Sequence, residues 1–131
     1  MRLVQSAQAL REALAGSPQG TRCVCSVGAC QGWTSVAEER WPADRMTPVA
    51  TLRDPQVNEP TFKEWHPHGT RYDAPDAPVA PRHFPYNRCD LWHCRQCQRH
   101  LLRYTEFGGY YVDPRVRVLD PALIADDAPL P

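Results

Sequence analysis

The strongest chemical signal in the chain lies near its C-terminal end, in the run Asn87-Arg-Cys-Asp-Leu-Trp-His-Cys-Arg-Gln-Cys-Gln-Arg-His100. Cys94 and Cys97 have the C-x-x-C spacing that lets two thiolates reach one tetrahedral cation from a tight turn. Cys89 lies five residues earlier, and Asp90-Leu-Trp-His93 is long enough to loop round and present a third sulfur. A closed structural site needs a fourth ligand. The candidates are His100, which gives a compact C-x4-C-x2-C-x2-H, and Cys23, Cys25 or Cys30 from the N-terminal part. An N-terminal cysteine, Cys25 first, is preferred, because it closes a loop of about sixty residues, where a small proline-rich domain gains most from a clip. The expected ligand set is Cys89, Cys94, Cys97 and Cys25 on a zinc ion.

Other chemistries fit the same cysteines less well. C-x4-C-x2-C is also a ferredoxin spacing, but that motif wants small loop residues and a fourth cysteine downstream. Here the loop holds Leu91, Trp92 and His93, and no cysteine follows Cys97. A redox dithiol needs a helix starting at the motif to lower a thiol pKa, and the residues after Cys97 read as a strand. Reduced thiols packed around Trp92 are the plain alternative to a metal.

The second unusual stretch is Glu64-Trp-His-Pro-His-Gly-Thr-Arg71. His66 and His68 flank a proline in an extended segment, so their rings point to opposite faces and do not share a metal. A single histidine from here could still complete a metal site or act as a general base, although a polar loop anchored by Trp65 and Tyr72 is the simpler reading. The sequence has no phosphate-cradling glycine loop, no nucleophile elbow, no H-E-x-x-H and no deaminase pattern.

The elements that position these residues must be short. Fourteen prolines in 131 residues are about twice the usual share, and the length suits one domain. Leu3, Ala7, Leu10 and Leu14 predict an amphipathic helix over residues 1–16, ended by Gly16 and Pro18. Thr21 to Val27 is β-prone with Cys23, Cys25 and Val27 on one face, and Gly28 to Gly32 is a turn. Ser35-Val-Ala-Glu38 reads as a capping box opening a short helix to Arg40, stopped by Trp41-Pro42. Thr47 to Leu52 predicts a strand whose proline suits a sheet edge. Residues 73–86 form a proline-spaced strap held by Phe84 and Tyr86. Residues 87–119 form a knuckle and hairpin. Its first strand runs from Arg99 to Phe107, Gly108-Gly109 makes the turn, and Asp113-Pro114 interrupts the return strand. Arg115 to Leu119 then alternates, with arginines out and valines in. One helical turn follows Asp120, and residues 126–131 form a disordered tail.

Formal net charge is zero, so no global field draws the chain to nucleic acid or anionic lipid. Locally, five arginines between Arg82 and Arg103 face Asp90 alone, whereas residues 104–131 carry five acids against two arginines. Fourteen of the fifteen basic residues are arginine, which suits bidentate contacts to carboxylate or phosphate. No apolar run is long enough to cross a membrane, and residues 1–16 lack a signal-peptide core. The expected location is cytoplasmic, where six cysteines read as ligands or buried thiols rather than disulfides.

Three motifs carry a resemblance: Glu64 to Arg71, the knuckle Asn87 to Trp92 with Cys94 to Cys97, and Leu102-Arg-Tyr-Thr-Glu-Phe-Gly-Gly-Tyr-Tyr111. On these, residues 62–119 resemble an uncharacterised family of small bacterial cysteine-rich proteins, a likeness that brings no activity with it. The knuckle and hairpin are also similar to zinc ribbons, which implies a structural zinc and a binding role.

The expected fold is a single α+β domain, mostly short strands, with an N-terminal helix and a zinc-ribbon-like C-terminal hairpin. The expected function is non-enzymatic: a cytoplasmic module of the adaptor, regulator or inhibitor kind that contacts another protein through an arginine-rich, aromatic hairpin face. The alternatives are a zinc-ribbon nucleic-acid binder using the same face, and a small enzyme using His66 or His68.

Overall fold

The computed structural model describes residues 2–14 and 30–131. Their framework is a six-stranded mixed sheet. Its strands are β1 (Arg2–Leu3), β2 (Thr34–Ser35), β3 (Met46–Thr51), β4 (Asp90–Cys94), β5 (His100–Gly108) and β6 (Tyr111–Val118). The spatial order is β1-β3-β4-β5-β6-β2, with only β1 and β3 parallel. One α-helix, α1 (Ala7–Ala13), and four single 3-10 turns complete the described elements. This is the small, mostly-β α+β architecture expected.

Both faces of the sheet carry a core, because alternate residues of a strand point to opposite sides. Leu102 belongs to a cluster with Val4, Leu10, Leu52, Leu91 and Tyr104, where α1 covers the sheet. Its neighbour Leu101 belongs to a second cluster with Val36, Trp41, Met46, Val116 and three cysteines. Each fully buried leucine contributes about 1.5–3 kcal/mol.

The helix is shorter than predicted. Ser6 caps it, its hydroxyl accepting from the Ala9 amide at 3.1 Å, and Leu3 joins β1 instead. The helix end expected at Gly16 and the strand expected over residues 21–27 lie outside the described residues. The capping box does not form. Ser35 lies in β2 and its hydroxyl donates to the Asp113 carboxylate at 3.0 Å, so the next turn, Glu38–Arg40, has no side-chain cap.

Two sheet expectations also change. Pro48 lies in β3, which is not an edge strand, yet β1 reaches only Ala50 and Thr51. The missing amide at Pro48 therefore faces no strand on that side, and the β3–β4 register shifts between Pro48 and Ala50. Residues 113–114 do not interrupt β6. Thr105 pairs with Pro114 across the hairpin, and the Pro114 carbonyl accepts from the Val36 amide at 2.9 Å.

Arg117 reverses its predicted orientation. It is 1 % exposed and donates to the Tyr86 hydroxyl and to the carbonyls of Pro75 and Ala77, at 3.2 and 2.8 Å. The segment carrying these acceptors lies over the sheet, and its orphan carbonyls supply the partners that a buried cation requires.

Candidate functional site

The turn after β4 is built around Cys94 and Cys97. The Cys94 amide donates to the Arg99 carbonyl at 2.9 Å, and the Gln98 amide donates to the Cys94 carbonyl at 2.8 Å. Gln98 takes a left-handed conformation, φ 65°, a cost a non-glycine residue accepts only where the turn demands it. Both thiols are buried. The Arg99 guanidinium donates through Nε to Cys97 Sγ at 3.2 Å. Cys30 belongs to the same buried cluster. Its carbonyl accepts from the Val118 amide at 2.8 Å, and it too is left-handed, φ 46°.

Cys89 does not join them. Residues 90–93, read as a loop, belong to strand β4, so Cys89 and Cys94 are about 16 Å apart along the chain at ~3.3 Å per residue. Cys89 is fully buried in the helix-side cluster. Its thiol donates to the Pro85 carbonyl at 3.3 Å, and burial, helped by Asp90, pushes its pKa well up. A protonated thiol in an apolar core is a poor metal ligand.

His100 pairs with His93 across β4 and β5, ring centroids 4.9 Å apart. Strand alternation puts it on the Leu102 face, away from the cluster of Leu101 and Cys94. Burial, helped by His93, lowers its pKa to about 4. Cys23 and Cys25 lie outside the described residues. Among the described residues, no three His, Cys, Asp or Glu side chains converge to hold a metal ion.

The histidine stretch is a tight loop. His66 Nδ1 meets Thr70 Oγ1 at 2.9 Å and Nε2 meets Glu64 Oε1 at 2.8 Å. Gly69, at φ 77°, turns the chain between them, its amide donating to the His66 carbonyl at 3.1 Å. His68 is exposed. The two histidines thus serve different surroundings.

The aromatic hairpin divides into two parts. Its base is core: Tyr104 is buried and meets Trp33 edge-on at 4.9 Å. Its tip is bare. Phe107 is 75 % exposed, Tyr110 fully exposed, and Tyr111 and Val112 more than half exposed. β4 pairs only with His100 to Arg103, and β2 only with Arg115 and Val116. The tip therefore projects as a two-stranded ribbon beyond its neighbours.

Beside the ribbon runs an open groove of about 460 Å³, lined among others by Arg53, Arg88, Asp90, Trp92, Arg103 and Phe107. The basic stretch of the sequence pointed to Arg88 and Arg103. Arg53, thirty-five positions before Arg88, was missed, and nothing local to it marks it.

No family model matches the chain, and no curated protein or solved structure is significantly similar to it.

Proposed function

We propose that the protein is a non-enzymatic interaction module whose partner is another protein, docked on the projecting hairpin tip. The observation that carries this is the group Phe107, Tyr110, Tyr111 and Val112, bare on a ribbon that the rest of the sheet does not cover. Aromatic side chains of this kind dominate the energetic centres of protein interfaces, and contiguous exposed apolar surface marks interaction sites.

The same reading includes a structural zinc. Cys94 and Cys97 would hold it, with Cys30 in place of Cys89 because Cys30 shares their cluster, and Cys25 as the fourth ligand chosen from the sequence. A zinc ion supplies a tetrahedral crosslink here, tying residues near the start of the chain to the turn that carries the hairpin. The buried thiols and the cationic donor on Cys97 suit that role.

The test places a photo-crosslinking residue at position 110 and, as a control, at Val57 in cells. A partner trapped from 110 alone is then purified and its affinity measured. Tyr110→Ser with Tyr111→Ser weakening it more than tenfold supports the reading. Equal trapping from both positions, or binding indifferent to the tip, sinks it.

A nucleic-acid reading has one observation in its favour, the arginines beside exposed Phe62 and Phe107. Steep salt dependence on an oligonucleotide is its signature.

A further inference from the structure

The groove beside the ribbon is more than an arginine-rich surface, because its three guanidinium groups are held in place before any ligand arrives. Arg88 lies over the Phe62 ring at 4.2 Å and the Phe84 ring at 5.1 Å, and donates to the Pro60 carbonyl at 2.9 Å and to Asn87 Oδ1 at 3.2 Å. Arg53 is tethered by the carbonyls of Asp54 and Val57. Arg103 lies over the Trp41 ring at 4.3 Å, and its Nη2 donates to Glu38 Oε1 at 2.5 Å.

Arg103 is paired with the Glu38 carboxylate, but carbonyl acceptors fix Arg53 and Arg88 without cancelling their charge. Burial lowers the Arg88 pKa, Glu106 opposes that, and repulsion from Arg53 adds to it. By strand alternation Glu106 points to the other face from Arg103, Thr105 and Phe107. Asp90, the carboxylate on the groove wall, is engaged by the Thr51 hydroxyl at 2.6 Å. Arg103 Nε is buried and has no hydrogen-bond partner, a donor that costs about 1–3 kcal/mol to leave unmade.

We infer that the groove is an oxyanion site that receives carboxylate side chains from an acidic segment of the partner protein. This deepens the reading of a protein partner and places a second contact next to the bare ribbon tip. Guanidinium forks match carboxylates bidentately, and Trp92 and Phe107 give the floor and rim apolar surface for the methylene stems. A polynucleotide fits less well. The chain has zero formal net charge, so no long-range field gathers an extended phosphate backbone onto it.

The test needs no knowledge of the partner. Full-length isotope-labelled protein is titrated with N-acetylated, amidated hexaglutamate and followed by the arginine Nε–Hε and backbone signals. The expected result is saturable movement of the Arg53, Arg88 and Arg103 signals. It weakens at least tenfold in Arg53→Gln and in Arg103→Gln, and is unchanged in Tyr110→Ser. Arg53→Gln keeps the test valid if Arg103→Gln fails to fold. No movement overturns the inference. Equal binding of inorganic phosphate, or tighter binding of a ten-residue oligothymidylate at 150 mM salt, overturns it too. None of these outcomes depends on the crosslinking result at residue 110, so the two readings fail separately.

Discussion

Cys89 directly precedes strand β4 and Cys94 ends it, and their thiols belong to different cores. The proposed zinc clamp therefore gives the two cysteines different fates on substitution. Cys94→Ser or Cys97→Ser is expected to abolish bound zinc in native mass spectrometry. Cys89→Ala keeps the metal and lowers stability by about 1–2 kcal/mol through the lost core atom and hydrogen bond. Zinc lost from Cys89→Ala, or retained by Cys94→Ser, is incompatible with the clamp.

Arg117 and Tyr86 tie residues 75–86 to the sheet. Arg117→Met leaves the Ala77 and Pro75 carbonyls unpartnered, at a cost of about 2–3 kcal/mol. Tyr86→Phe, which removes one acceptor, costs less, about 1 kcal/mol. A double-mutant cycle in urea is expected to show coupling above 0.5 kcal/mol, in the range typical of contacting residues. Additive effects would mean the two act separately.

His100 gives stability a pH dependence whose sign follows from its depressed pKa. The folded protein keeps this imidazole neutral down to about pH 4, whereas the unfolded chain takes up the proton near pH 6.5. Between those values the unfolded state binds more protons, so stability falls as pH drops from 6.5 towards 4, by up to roughly 3 kcal/mol from this group. His83, also lowered, by burial and then by Lys63, acts in the same direction. Urea melts at pH 7 and 4.5 are the check. His100→Gln should flatten the difference, and an unchanged difference rules out His100 as its source.

The ribbon tip should be dispensable for folding. Tyr110→Ser and Val112→Ser remove exposed side chains and are expected to change stability by less than about 0.5 kcal/mol. A chemical-denaturation midpoint that moves further would mean the tip belongs to the fold rather than to an interface.

Sequence reading located the hairpin from local signals, the two glycines and the alternation around them, but set its turn one residue early: Gly108 ends β5 opposite Tyr111, and the turn is Gly109-Tyr110 rather than Gly108-Gly109. It went wrong where a distant part of the chain decided. The spacing of Cys89 to Cys94 suggested a metal loop, while the same residues alternate as a strand once β3 and β5 flank them. Arg117 looked solvent-facing because arginine usually is, and only the segment laid over β6 supplies carbonyls to hold it inside. Ser35 had a capping pattern, yet pairing with β6 brought Asp113 to its hydroxyl first. The groove joins Arg53 to Arg88 and Arg103, and no pattern along the chain announces such a meeting.

The strand order also bears on how the chain folds during synthesis. Only β4, β5 and β6 are close in sequence as well as in space. β2 must find β6 about eighty residues later, and β3 must wait for β4 across the long proline-rich stretch. Pairing across such separations is slow because loop closure precedes any gain, and a lone pair of short strands is marginal in water. On a ribosome, then, β1, β2 and β3 emerge before the strands they are meant to join. The three C-terminal strands are the template on which those earlier strands finally settle.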